Sequence, residues 1–223
     1  MDRDTTMRKD AGARILKQFA EGKADMLIGT QMIVKGHDFP KVTLVGILDG
    51  DQSLHRDDYL ATERTFQLIT QVAGRSGRDT LPGEVVLQTY TPTHYCLQLA
   101  AKQDYIGFYR KEINLREASA FPPFSEIVRI LYQGENEKSC IDQLTEQYAK
   151  IVNLKKDNPN AFLYLDKMRC PLKRAEKKFR FQILVKLETS KVEELLPQIY
   201  AIVDEKSHSD VQIFTERNPQ NLS

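Results

Sequence analysis

The sequence predicts two units in tandem, an α/β unit followed by an α+β unit. Three observations predict them. Short, nearly all-apolar runs alternate with helix-period segments through the first half, as strands buried on both faces of a parallel sheet do. After Phe121-Pro122-Pro123-Phe124 the order becomes strand, helix, strand, strand, helix, strand. The paired prolines between the two patterns cannot continue a helix and mark a boundary, giving units 1–118 and 119–223.

Each element follows from local pattern. Thr6 to Gly22 reads as a helix with Ile15, Leu16 and Phe19 on one stripe and Gly22 as its stop. Asp25 to Gly29, Val42 to Leu48 and Gly83 to Thr89 are the strand candidates, and Pro92 closes the third. Asp58 to Val72 is helical, with Tyr59, Phe66, Ile69 and Val72 at helical spacing, and Asp104 to Ala118 is a further helix. Beyond the prolines come a strand at Ile127 to Tyr132 and a helix at Lys138 to Val152 with Ile141, Leu144, Tyr148, Ile151 and Val152 facing inward. Ala161 to Leu165 is a short strand leading into a basic turn. In Phe179 to Leu187 the odd positions point one way, and Arg180, Gln182, Leu184 and Lys186 the other. Lys191 to Val203 is a helix and Val211 to Phe214 the last strand. This β-α-β-β-α-β order is the split-βαβ, ferredoxin-like arrangement. Helices cover one sheet face, so Arg180, Gln182 and Lys186 are expected on the other, more open one.

Composition narrows the class. The 223 residues carry 32 basic and 31 acidic side chains, a net charge of +1, which excludes a globally basic nucleic-acid-coating protein. No apolar run reaches the roughly 18 to 20 residues of a membrane helix, and Met1-Asp2-Arg3-Asp4 is too polar for a signal peptide. Cys96, Cys140 and Cys170 are widely spaced and odd in number, which fits a reducing cytoplasm better than a disulfide framework or a zinc motif. Charge is local instead. Between Lys167 and Lys186 eight basic residues face only Glu176, a net +7 segment in an acidic surround. Such a segment is either a directed field for nucleic acid or an acidic partner, or a hairpin kept soluble by lysines.

Two strings carry the chemistry. In Gln71-Val72-Ala73-Gly74-Arg75-Ser76-Gly77-Arg78, two arginines three apart on a helical turn aim two planar, permanently charged forks at one place. Glycines around them let backbone approach a bulky anion, and the forks suit a phosphoryl group with spread charge. Upstream, Gly29-Thr30-Gln31-Met32-Ile33-Val34-Lys35-Gly36-His37-Asp38-Phe39-Pro40 follows a strand candidate with a hydroxyl, an amide, a cation, a glycine and a carboxylate. That inventory can hold a nucleic-acid phosphate and a ribose.

Together these strings resemble motifs V and VI of superfamily 2 helicases. With Leu48-Asp49-x-Asp51, Tyr59-Leu60-Ala61-Thr62-Glu63-Arg64-Thr65-Phe66-Gln67-Leu68, Gly83-Glu84-Val85-Val86-Leu87-Gln88-Thr89, the Pro-Pro-Phe boundary and Phe179-Arg180-Phe181-Gln182-Ile183-Leu184, the chain resembles the C-terminal part of the primosomal protein N′ (PriA) family of replication-restart helicases. The resemblance implies a partial RecA-like helicase lobe followed by a C-terminal domain that engages DNA and a partner. It implies that Arg75 and Arg78 are arginine fingers for the ATP γ-phosphate, that Gln71 assists them, that Gly36 and Asp38 border the nucleotide, and that Thr30 holds a DNA phosphate. Lys177, Lys178, Arg180 and Lys186 are the DNA-contact candidates of the second unit, and Lys191 the candidate cation for an acidic partner tail. The family is a 3′-to-5′ ATP-dependent DNA helicase of the cytoplasm and nucleoid. It acts with ATP and Mg²⁺ on single-stranded and forked DNA, with the single-stranded-DNA-binding protein and other primosome proteins.

Departures bound what this polypeptide does alone. It has no G-x-x-x-x-G-K-[ST] phosphate loop, no D-E-x-H box, and none of the family's paired zinc cysteines. It therefore reads as beginning part-way through the second motor lobe, inactive alone as an ATPase, with ATP and Mg²⁺ held mainly by the other lobe. The open sheet of the first unit is expected to self-associate. The competing readings are a non-enzymatic nucleic-acid or acidic-peptide binding module with a vestigial motor lobe, and another superfamily 2 translocase.

Overall fold

Helix α1, Ala11–Ala20, opens the computed structural model, which describes residues 11–30, 42–55, 58–74, 83–175, 177–205 and 207–220, without the side chains of 171–175. Leu16 is its buried anchor. Gly22 stops it at φ +71°, with Gly22 N donating to Phe19 O (3.0 Å) and Lys23 N to Gln18 O (2.9 Å). That is the paired bonding of a Schellman cap, at the position where a side chain is disfavoured.

Strands β1 (Leu44–Ile47) and β2 (Glu84–Leu87) form a two-stranded parallel sheet, with Val45 opposite Val85. Between them runs α2, Ala61–Ala73, and after them come α3, Tyr95–Ala101, and α4, Tyr105–Ala118. The core joins Phe66 and Ile69 of α2 to Cys96, Leu97 and Ala100 of α3 and to Phe108, with Ile47 and Leu87 packed against it. Phe66 and Phe108 stack at 4.2 Å. Sequence pattern does not announce α3, because Pro92 and a seven-residue length hide a helix that tertiary packing makes.

Two strand expectations are corrected. Asp25 to Gly29 forms no strand; Met26 and Ile28 are 74% and 70% exposed. An apolar run becomes a strand only where a neighbour supplies hydrogen bonds, and among the described residues β1 pairs with β2 alone. Nor are the two strands buried on both faces: Leu44, Leu48 and Val86 are exposed.

The second half holds β3 (Ser125–Gly134), α5 (Glu137–Asp157), β4 (Phe162–Ala175), β5 (Lys178–Glu188), α6 (Val192–Asp204) and β6 (Gln212–Arg217). The sheet order is β4-β5-β3-β6, antiparallel throughout, so β5 lies between β3 and β4 and β3 between β5 and β6. This is the split-βαβ topology that the element order predicts. Val128, Ile130 and Tyr132 of β3 and Ile183, Val185 and Leu187 of β5 face α5 and α6, meeting Leu144, Ile151, Leu195 and Ile199. Gly134 sits in a tight place, where a Cβ would lie 3.0 Å from Cys140 Sγ and 3.2 Å from Asp210 O and would push on both.

Asn136 caps α5 by accepting from Lys138 N (3.0 Å) and Ser139 N (3.3 Å). The buried stripe of α5 is Cys140, Gln143, Leu144, Gln147 and Ile151, so Ile141, expected inside, is 38% exposed. Two glutamines take core positions because they satisfy backbone at the end of α6. Gln147 Nε2 donates to Val203 O and Glu205 O (both 3.0 Å), while its Oε1 accepts from the Tyr132 hydroxyl (2.7 Å). Gln143 Oε1 accepts from Ser207 N (2.8 Å) and His208 N (2.9 Å). Orphan groups at a helix end are thus bonded inside the domain.

The compact units divide within α4, not at the prolines. The described residues up to 55, with Ala61–Phe108, form the first; residues 58–60, with the chain from Tyr109 onward, form the second. Tyr59 explains the detour. Expected on the α2 stripe, it precedes that helix and stacks on Phe121 (5.5 Å, 12°), with Arg116 over its ring at 5.8 Å. Lys186 Nζ lies 3.5 Å from the Phe121 centroid and donates to Ser119 O (3.2 Å). The Pro122-Pro123 bond, next in the chain, is cis.

Candidate nucleic-acid interface

The arginine-bearing string begins on the last turn of α2. Gln71 is exposed there, one residue before buried Val72, and Gly74 N closes the helix on Thr70 O (3.1 Å). Arg75 and Arg78, and Gly36 and Asp38 of the upstream string, lie outside the described residues. Thr30 is exposed in irregular chain directly after Gly29.

At the C-terminal ends of β1 and β2 the structure places a residue whose role the sequence does not show. Asp51 is 1% exposed and accepts from Thr89 Oγ1 (2.7 Å), Tyr90 N (2.5 Å) and the Thr91 hydroxyl. These bonds, the Thr91 hydroxyl first and Thr89 next, hold its carboxyl down at about pKa 2. Thr91 N in turn donates to Thr89 Oγ1 (3.0 Å), and Gly50 N to Gln88 O (3.0 Å). One carboxylate therefore ties the loop after β1 to the loop after β2. Strand ends of this kind are where parallel sheets put ligands. The available signal is the D-x-D string with two hydroxyl residues 38 and 40 positions on.

The basic segment of the second unit is not one surface. The expected turn is strand: β4 runs on to Ala175 and pairs with Lys178, leaving a two-residue connection in which Lys177 takes φ +68°. Strand alternation then distributes the cations of the hairpin over two faces. Lys167 and Arg169 lie on the helix side. Lys167 Nζ approaches Thr145 Oγ1 (3.4 Å) and the Tyr148 ring (5.1 Å), and Arg169 pairs with Glu137 and covers Phe181 (5.3 Å). Gln182, expected on an open face, is 1% exposed; Ile127, Arg129, Leu131 and Cys170 are buried as well. Arg129 is neutralised by Glu216 at 2.6 Å.

Of the DNA-contact candidates, Lys177 is exposed at the hairpin tip, with Lys178, bonded to Gln212 Oε1 at 2.9 Å, and half-buried Arg180 close behind it. Lys186 sits at the far end of β5, roughly 27 Å along the strand at about 3.4 Å per residue. Partial burial against Phe121 pushes its ammonium below the ordinary lysine range. Lys191 starts α6 and pairs with Glu194 (2.8 Å), which raises its pKa. The structure thus groups the tip cations and separates Lys186 and Lys191 from them. Cys96, Cys140 and Cys170 are buried thiols outside any disulfide, and Cys96 Sγ donates to Thr62 O (3.2 Å). Among the described residues no cluster of His, Cys, Asp and Glu could hold a metal ion, and no helix is long and apolar enough to cross a membrane.

A parallel α/β unit bearing a Q-x-x-G-R-x-G-R string, followed by a split-βαβ domain, is the order of parts expected of a helicase lobe with an appended α+β domain. Comparison with known families agrees. Residues 3–80 match the helicase conserved C-terminal domain, and residues 117–220 match the primosomal protein N C-terminal domain. The replication restart protein PriA of Bacillus subtilis (strain 168) is 40% identical over 98% of this chain and 27% of its own length. Those of Chlamydia pneumoniae and Haemophilus influenzae are 43% and 33% identical over 83% and 100% of this chain, and 24% and 30% of their own. The chain belongs to the PriA family of replication restart proteins. It spans about a quarter of the length of the curated relatives it matches.

Proposed function

We propose that this chain supplies the arginine fingers and part of the DNA-binding surface of an ATP-dependent 3′-to-5′ DNA helicase that restarts replication and starts primosome assembly in the cytoplasm. One observation carries the reading: a single chain joins a helicase C-terminal domain match, containing Arg75 and Arg78, to a PriA-type C-terminal domain whose hairpin tip presents Lys177 and Lys178. Planar guanidinium forks stabilise the spread charge of a phosphoryl group in transfer. In this reading Gln71 assists them, Gly36 and Asp38 border the nucleotide, and Thr30 and the tip cations take DNA phosphates. ATP and Mg²⁺ are held mainly by residues of the other lobe, and the single-stranded-DNA-binding protein meets the second unit, Lys191 being the candidate contact. The zinc of the family belongs with cysteine pairs outside this sequence.

The test is complementation. Mixed with the preceding part of the Bacillus subtilis relative, the chain should restore DNA-stimulated ATP hydrolysis. Arg75→Ala should then lower turnover about 10³-fold or more, the scale of a lost arginine finger. Hydrolysis by the chain alone, or full activity in Arg75→Ala, overturns the assignment. Salt-sensitive DNA binding without any restored hydrolysis favours a binding module with a vestigial lobe.

A further inference from the structure

One edge of the sheet in the second unit is open and unused by the proposed function. Among the described residues β4 pairs with β5 alone, and that pairing runs without a shift from Tyr164 to Arg169, between two irregular stretches. Bulges disrupt pairing at a sheet edge, so the regular run between them is the part that can accept another strand. It is roughly 20 Å long at about 3.3 Å per residue. Within it the Lys167 amide donates to a side chain, the Asp166 carboxylate at 2.8 Å, whose place a backbone carbonyl can take.

Helix α5 lies beside this edge and makes the second wall of a groove. Glu137 pairs with Arg169, while Thr145 Oγ1 (3.4 Å) and the Tyr148 ring (5.1 Å) meet Lys167 Nζ. Ile141 stands one turn from both Glu137 and Thr145 on the same flank, which accounts for its exposure. Leu165, half-buried against the core, lies two residues along β4 on the other side of Lys167. The groove thus sets an apolar side chain on each side of one exposed cation. Arg169 is neutralised by Glu137, whereas Lys167 makes no ion pair among the described residues.

The occupant follows from alternation and charge. A strand added to β4 turns every second side chain toward α5, so the match is a carboxylate opposite Lys167 with apolar residues two positions away on either side. A second copy of β4 fits poorly. Antiparallel registers centred on Asp166, Lys167 or Met168 set Asp166 against Asp166, Lys167 against Lys167, or Lys167 against Arg169.

We infer that the β4 edge and α5 form a docking groove for an extended segment of a partner protein, which adds a strand to the four-stranded sheet and turns apolar, acidic and apolar residues toward α5. The groove shares no residue with the hairpin tip or with Lys191, so it stands apart from the DNA-binding reading.

Two synthetic peptides test it, Thr-Val-Thr-Asp-Thr-Val-Thr and the same sequence with lysine at its centre, each titrated into the isotope-labelled chain and followed by amide NMR. The acidic peptide should shift the amides of Leu165, Lys167 and Arg169 and bind about 5-fold more tightly than the basic one. Lys167→Glu should reverse that preference, which a mere loss of packing would not do. Methylating alternate backbone nitrogens of the acidic peptide should abolish binding, because strand addition uses them. Shifts confined to other surfaces, no binding of either peptide at millimolar concentration, or a preference unchanged in Lys167→Glu overturns the groove. Shifts along β4 that grow with protein concentration and need no peptide overturn it in favour of a second copy. Circular dichroism establishes that Lys167→Glu is folded, and the methylated peptide on the parent chain decides the matter if it is not.

Discussion

Asp51 shows how much one side chain can organise. With its carboxyl held at about pKa 2 by the Thr91 and Thr89 hydroxyls, it favours the folded state at any pH above the ordinary carboxylate range. The sign follows from the depressed value: the contribution is complete above about pH 4 and disappears as pH falls through about 2. Amides of Tyr90 and Thr91 should therefore exchange more readily near pH 2 than at pH 5, after correction for intrinsic rates. In Asp51→Asn the protection at these amides should already be reduced at pH 5. Equal protection in the variant at pH 5 argues that the loop is held by packing alone. This residue is visible in the sequence only as half of a D-x-D string. Its partners lie 38 to 40 residues away, and no local pattern announces which threonine will face a given carboxylate.

At the scale of elements, patterns with a strong period read true and unpartnered ones do not. The apolar stripe of α6 appears in the structure as expected, and Phe181, Ile183, Val185 and Leu187 of β5 are buried at period 2, although Gln182 between them is buried too. Asp25 to Gly29 has the composition of a strand, but a strand exists only by pairing. The basic segment misleads for a different reason. A count of charges ignores strand alternation, and the β4–β5 hairpin divides its cations between the helix side and the open side. The consequence is measurable in DNA binding. Lys177→Glu with Lys178→Glu should weaken binding markedly and shrink the slope of log affinity against log salt, by about one for each phosphate no longer neutralised. Lys167→Glu, on a side chain engaged with Thr145 and Tyr148, should leave that slope unchanged. A larger effect at Lys167 than at the tip would move the interface to the helix side.

Across the whole molecule, the family and the order of its parts are legible from motif strings, whereas the grouping of residues 58–60 with the second unit is not. Prolines mark a boundary in sequence, yet α4 runs on without a break from one unit into the other, and Tyr59 belongs with a ring 62 residues later. No period or composition shift encodes a stack of that range. A double-mutant cycle tests its weight. Tyr59→Leu and Phe121→Leu, singly and together, should show a coupling of about 0.5–1.5 kcal/mol in urea unfolding of the second unit. Strict additivity would mean that the rings touch without contributing to stability.

The detour of residues 58–60 also bears on how the molecule can be taken apart. A polypeptide whose second unit borrows a short stretch from inside the first has no single peptide bond whose cleavage separates two intact bodies. A protease nick after Phe108 would free a C-terminal piece without Tyr59, leaving Arg116 and Phe121 without the ring that both of them pack on. Vectorial synthesis meets the same constraint from the other side. Tyr59 is synthesised 62 residues before Phe121, so this stack closes onto chain made earlier.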